Sequence, residues 1–458
     1  MTLVSINPAT GEKLNEYARW TDEEVLSTVG KVHDARLDWK KTPFSRRSSL
    51  LKSLAQALHK GKEALARTIT LEMGKPITQS KAEIDKCALT CDYFAEQGES
   101  FLAQEPIPSD ARKSYVRFDP LGVILAIMPW NFPYWQVFRF VAPALMAGNT
   151  VLLKHASNVT GCALDIEALF PKAGFPENIF RTLPVGSESV PLVIRDRRVS
   201  GVTLTGSSQA GKSVAGEAGA ALKKTVMELG GSDPFVVLRD ADLDLALTQA
   251  VASRTINSGQ SCIAAKRFIL EEPIAPEFLS GFKKRMAALI VGDPLSEQTQ
   301  IGPLARLDLR DSLHRQVQDS VSLGARILLG GVPKEGPGAF YSPTILVDVR
   351  EGMPAYGEEL FGPVAAVILA KDALDAVRIA NDTDFGLGAS IWTSDLEAAE
   401  VLAGSVEAGS VFINGMVKSD PRLPFGGVKG SGHGRELSYY GMKEFVNIKT
   451  VWVGGKVS

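Results

Sequence analysis

A chain of 458 residues is too long for one ordinary core and calls for two or three domains folded together. Apolar residues make up 45% and charged residues 22%, an average globular balance that excludes disorder and fibrous or collagen-like repeats. A formal net charge of -2, with no block of lysine or arginine, gives no reason to expect nucleic acid or an anionic membrane as partner.

The opening MTLVSINPATGEKL reads as turn-like and lacks the basic and apolar regions of a secretory leader. The longest apolar stretches, such as 121–128, fall well short of the roughly 18–20 residues that span a bilayer. Four cysteines in so long a chain make no disulfide framework, and a reducing cytoplasm is expected. Cys87 and Cys91, four apart on a predicted helix with no histidine nearby, read as small core residues rather than metal ligands.

Apolar residues at i, i+3, i+4 spacing predict helices over 22–39 and 46–72, the first capped by Thr21 with acids behind it. From Gly122 the character changes. Short apolar runs (GVILA, a strand at 150–153, GVTLTG) alternate with helices over 163–173 and 209–219. A second alternating series begins at Lys224 and includes TVMELGG, PFVVL, KRFIL, RILLGG, AAVILA and GSVFIN, with helices over 243–256 and 275–289. Such alternation predicts an α/β fold with two doubly wound parallel-sheet domains and a cleft between them. The segments 114–119 and 445–453 fit neither series and alternate like exposed strands, which predicts a small β domain that pairs across a subunit interface.

Four local features carry chemistry. Cys262 lies in the polar, glycine-bearing loop NSGQSC, where a substrate can approach and backbone N–H groups can point. Glu228 ends the apolar run TVME before a Gly-Gly bend, a costly place for a carboxylate unless desolvation raises its pKa for use as a base. Asn131, fixed between two prolines and two aromatics in PWNFP, offers the rigid donor an oxyanion hole needs. The run from Gly206 to Gly211 follows a strand and opens a helix, where phosphate can approach an N-terminus, although it is not the GxGxxG fingerprint. Taken singly, each has a plain structural alternative: a buried small residue, a salt bridge, a packed turn, an ordinary helix start.

Together, PWNFP, LTGSSQAG, MELGG, NSGQSC, EELFGPV and PFGGVKGSGHGRE resemble the NAD(P)-dependent aldehyde dehydrogenase superfamily in order and approximate spacing over essentially the whole chain. The resemblance implies a cofactor domain (1–101 and 121–230), a catalytic domain (231–435) and a small oligomerisation domain (102–120 and 436–458), in homodimers or homotetramers. It makes Cys262 the nucleophile and Glu228 the general base, with Asn131 and the Cys262 backbone N–H as oxyanion hole. Lys154 and Glu359 would hold ribose hydroxyls, Ser207 the pyrophosphate and Phe361 the nicotinamide ribose, with Gly206, Gly211, Trp130, Leu229 and Ser157 completing the cofactor site.

Where many members carry Lys-Pro-Ser/Ala-Glu, this chain has Lys154-His-Ala-Ser157. The missing acid would bind an adenosine 2′-hydroxyl and repel a 2′-phosphate, so NADP is expected ahead of NAD, with His155 as a further possible phosphate donor. The short chain and the KHA segment are most similar to bacterial succinate semialdehyde dehydrogenases. For such a substrate, Arg139 and Ser419 are the expected receptors of the distal carboxylate, with Trp135 and Ser261 completing the site. The alternatives are another aldehyde (glutarate semialdehyde, an aliphatic or aromatic aldehyde), an arginine at a domain interface, or a catalytically silent cofactor-binding protein.

Overall fold

The computed structural model describes residues 2–455, so Met1 and the last three residues of the expected 436–458 segment lie outside the described residues. The stretch read as turn-like forms a hairpin, β1 (Thr2–Ile6) paired antiparallel with β2 (Lys13–Ala18). The turn chemistry itself closes it: the Asn7 side chain accepts from the Ala9 N–H, and Gly11 takes φ +76°.

Three helices follow. In α1 (Asp22–Trp39), Thr21 and Glu24 form a reciprocal capping box, and the Val25, Val29 and Val32 stripe is buried. α2 (Phe44–Met73) ends at a left-handed Gly74, and α3 (Ile77–Phe101) buries Cys87 and Cys91 in the core. After β3 (Glu105–Pro106) and β4 (Lys113–Pro120), the first α/β series runs as β5 (Val123–Met128), α4 (Trp135–Ala147), β6 (Thr150–His155) and α5 (Thr160–Lys172). It continues as β7 (Phe180–Thr182), α6 (Val190–Arg195), β8 (Val199–Thr205), α7 (Ser208–Ala220) and β9 (Lys224–Glu228). These strands form a parallel sheet in the order β9-β8-β5-β6-β7. Both faces are covered, which is why β5 reads as an unbroken apolar run and β6 is apolar from Val151 to Leu153. The strand order reverses between β5 and β8, so a crevice opens at their carboxyl ends, beside Met128 and Thr205.

The second sheet contains β10 (Pro234–Val237), β11 (Arg267–Glu271), β12 (Arg326–Leu329), β13 (Thr344–Val347), β14 (Val364–Ala370), β15 (Gly388–Trp392) and β16 (Ser410–Ile413). Its order is β12-β13-β14-β11-β10-β15-β16, parallel except for the edge strand β12. α8 (Leu243–Thr255) runs from β10 toward Cys262.

The 231–435 stretch does not stay with this sheet to its end. β17 (Gly432–His433) returns to the first sheet and pairs antiparallel with β9. Only glycine permits that approach: a Cβ at Gly432 would stand 1.9 Å from the Met227 carbonyl oxygen. β18 (Val446–Val453) pairs with β4 along its whole length, so the two leftover segments find each other within one chain. β18 remains an edge strand, with Ile448, Trp452 and Val453 exposed.

Candidate active site

The nucleophile loop begins where α8 stops. Asn257 (φ 51°), Ser258 (φ 55°) and Gly259 (φ 79°) are all left-handed, a conformation that costs on the order of 1 kcal/mol or more per non-glycine residue. Distant segments hold it there. The Asn257 N–H donates to the Gln79 side chain at 2.7 Å, Ser258 Oγ accepts from the Gly302 N–H at 2.9 Å, and Gln260 Oε1 accepts from the Ala305 N–H at 2.8 Å. A Cβ on Gly259 would stand 2.2 Å from the Gly362 carbonyl oxygen. Lys266 Nζ donates to the Ser261 and Cys262 carbonyls at 2.8 and 2.6 Å. Burial pushes the Cys262 thiol up to about 12, against the opposing pull of Lys266 and Arg139.

Asn131 reaches this same loop. Its Nδ2 donates to the Gln260 carbonyl at 3.1 Å and its carbonyl accepts from Asn257 Nδ2 at 2.7 Å. His155 fixes the Asn131 loop from behind: Nδ1 accepts from the Ala156 N–H, so Nε2 carries the proton and donates to the Pro133 carbonyl, both at 2.9 Å. That engagement removes His155 as a phosphate donor, and burial drives its pKa down to about 4.

Glu228 ends β9, buried, with no hydrogen-bond partner for either carboxyl oxygen among the described residues. Burial holds its carboxyl well above the ordinary range; Arg139 pulls it down and Glu436 pushes it up. The Gly-Gly bend then brings the chain beside the nucleophile. A Cβ on Gly231 would lie 2.7 Å from the Cys262 carbonyl oxygen, and one on Gly230 would lie 2.6 Å from Glu359 Oε2.

Arg139 does not face a substrate. It is 1% exposed, ion-paired with Glu436, 3.2 Å from Thr205 Oγ1 and stacked over the Phe425 ring at 4.6 Å. Glu436 already neutralises this buried guanidinium, so the expected receptor role is corrected to an internal ion pair. Ser261 is also buried, held through its carbonyl, and lies off the wall of the neighbouring cavity. That cavity, about 600 Å³, is lined by Phe132, Trp135, Ile256, Met416 and Lys86 among others. Ser419 touches the wall through Lys86, whose Nζ donates to its Oγ at 2.8 Å.

The crevice of the first sheet gathers the cofactor candidates. Lys154 ends β6 and Ser157 starts the turn beyond it. Ser207 caps α7, accepting from the Ala210 N–H at 3.3 Å, and Gly211 lies where a Cβ would meet Leu229 Cδ2 at 2.5 Å. The Gly206 N–H donates to the Glu228 carbonyl at 3.0 Å, tying the start of α7 to the end of β9. Trp130 and Phe361 meet edge to face at 5.7 Å. Glu359 accepts from the Gly231 N–H at 3.1 Å and lies 3.4 Å from Lys266 Nζ. Lys154 has no ion-pair partner among the described residues, and burial alone lowers its pKa. An uncompensated cation on the same carboxyl edge of the sheet as a capped helix N-terminus suits a dinucleotide with anionic and hydroxyl groups.

The Cys262 loop, the Asn131 amide and the bend that follows the buried Glu228 thus meet in one place, with the crevice of the first sheet beside Thr205. Residues 1–451 match the Aldehyde dehydrogenase family. The chain belongs to that family. This aldehyde dehydrogenase is 49% identical over 453 residues to a probable succinate-semialdehyde dehydrogenase [NADP(+)] of Synechocystis, covering 99% of this chain and all of the relative. It is 49% identical to the succinate semialdehyde dehydrogenase [NAD(P)+] of Escherichia coli, over 98% of this chain and 97% of the relative. The crystal structure of succinic semialdehyde dehydrogenase from Streptococcus pyogenes, in complex with NADP+, superposes with a TM-score of 0.97 at 36% identity, covering 99% of this chain and all of that one.

Sequence reasoning missed Lys86, Gln260, Lys266 and Glu436. Lys266 had a signal, a lysine inside the apolar run IAAKRFIL. Lys86 had none, because a lone lysine on a helix normally lies in solvent.

Proposed function

We propose that this aldehyde dehydrogenase oxidises succinate semialdehyde to succinate, with NADP as preferred acceptor and NAD as a second one. The observation that carries the chemistry is the approach of two strand ends, one bearing Glu228 and one leading from Cys262, within van der Waals reach at Gly231. Cys262 Sγ attacks the aldehyde carbonyl as its S–H bond breaks, the proton passing to Glu228 and from there to solvent. The Asn131 amide hydrogen not given to Gln260, together with the Cys262 backbone N–H, receives the oxyanion. Bound NADP or NAD supplies the acceptor for the hydride that leaves the adduct carbon. Glu228 then takes a proton from water, whose oxygen attacks the thioester carbon and releases the acid and the thiol. Burial moves the Glu228 carboxyl upward, toward the range that suits a general base, and moves the Cys262 thiol upward too, so the thiol must lose its proton as it attacks.

The substrate reading is supported by the relatives named above, and the cofactor reading by the unpaired Lys154 and the neutral Ser157. The exposed edge of β18 supports a homodimer or homotetramer built by adding strands across subunits. The four free cysteines support a reducing cytoplasm as the place of action. The test is a panel of kcat/KM values for succinate semialdehyde, glutarate semialdehyde, butanal and benzaldehyde, each with NADP and NAD. The expected leader is succinate semialdehyde with NADP; butanal equal to it would overturn the substrate reading.

A further inference from the structure

We infer that Lys86, on α3, is the cation that receives the distal carboxylate of the substrate, with the Ser419 hydroxyl beside it and the Trp135 ring beneath. The inference rests on the proposed substrate class and assigns its charged end to a residue outside the catalytic set.

The cavity next to the nucleophile loop is mostly apolar, and its charged wall residues are Glu83, Lys86 and Glu297. Glu83 is already neutralised: it is ion-paired with the buried Lys75, and its Oε1 accepts from the Tyr134 and Trp135 N–H groups at 2.8 and 2.9 Å. Glu297 lies at the exposed rim, 3.2 Å from Lys81. Lys86 has no ion-pair partner among the described residues. Its ammonium donates one hydrogen bond, to the neutral Ser419 Oγ, and lies 4.0 Å over the Trp135 ring, which leaves N–H donors uncommitted. The nearby carboxylate of Asp420 is held by Arg422 at 2.6 Å. Burial first and Arg139 second lower the ammonium pKa to about 8, so the group is still charged at neutral pH.

Geometry places this cation at the right end of the cavity. Phe132 adjoins Asn131 and Ile256 adjoins Asn257, so the cavity floor is made by neighbours of the oxyanion donor and of the nucleophile loop. Arg139 acts electrostatically on both the Lys86 ammonium and the Cys262 thiol, so both lie within range of one residue. On this inference a short aldehyde would place its carbonyl at Cys262 and the carboxylate at its far end at Lys86.

The experiment compares wild type, Lys86→Met, Lys86→Arg and Arg139→Met on succinate semialdehyde and on butanal, the same four-carbon chain without the charge. In Lys86→Met, kcat/KM for succinate semialdehyde should fall about ten- to a hundredfold further than for butanal, mainly through KM. Lys86→Arg should recover a large part of the preference. Succinate should inhibit butanal oxidation competitively in wild type, with an inhibition constant raised about tenfold or more in Lys86→Met. Equal losses on both aldehydes, or loss of the preference in Arg139→Met alone, would overturn the inference. If wild type favours butanal yet Lys86→Met still weakens succinate, the substrate reading fails and the carboxylate site stands.

Discussion

At the root of α4 the buried charges come in pairs, Arg139 with Glu436 and Lys75 with Glu83. Along the cleft wall, Glu228, Lys154 and Lys86 are nearly or partly buried without an ion-pair partner among the described residues. Removing an ion from water costs several kcal/mol unless a partner offsets it. The Arg139–Glu436 and Lys75–Glu83 pairs are therefore part of the fold's own stability, while Glu228, Lys154 and Lys86 are placed to meet a water, a phosphate or a carboxylate that arrives with the reactants.

Substitutions at the two kinds of site should fail in different ways. Glu228→Gln removes an unpaired group, so turnover should fall about 10²–10⁴-fold while the fold is left as stable or more so. A burst of reduced cofactor near one per active site should remain, because the acyl-enzyme still forms. Steady turnover at the wild-type rate would put the base elsewhere.

Arg139→Met removes half of a pair and strands Glu436. Stability should drop by about 3–5 kcal/mol, read as an earlier urea transition, with charged and uncharged aldehydes affected alike. An unshifted transition would mean that the pair is not structural.

His155 gives a smaller effect with a definite pH window. Its folded pKa of about 4 lies below the ordinary 6.5, so the unfolded chain binds the proton first as pH falls. Its contribution is complete above pH 6.5 and is lost between there and about 4, on the order of 3 kcal/mol. In His155→Gln, which keeps a donor for the Pro133 carbonyl, the fall in stability across that window should shrink. An unchanged pH profile would remove His155 from the acid response.

The smallest expected effect comes from converting an unpaired site into a paired one. Ser157→Glu places a carboxylate near Lys154, and the NADP-to-NAD ratio of kcat/KM should fall about tenfold. A ratio that does not move would show that Ser157 does not face the 2′ position.

Much of this was legible in the chain. The two α/β series, the 22–39 helix and the Cys262, Glu228 and Asn131 loops all follow from local patterns, because strand ends and glycine bends announce themselves in a few residues. What could not be read was pairing at a distance. Arg139 looks like a ligand until Glu436, at the far end of the chain, is brought to it by the bend after β17. Lys86 looks solvated until Trp135 and Ser419 close over it. The hairpin β1–β2 was hidden because each strand is short and the turn chemistry between them dominated the pattern.

The protonated state of Cys262 has a consequence for durability. Alkylating agents and peroxides react with thiolates, and a thiol held at about 12 offers almost none at neutral pH, whereas the same residue in an unfolded chain titrates near 8.5. The resting enzyme thus keeps its half-buried nucleophile in the less reactive form, and oxidation of Cys262 in the absence of reactants should be slower in the folded enzyme than in the unfolded chain.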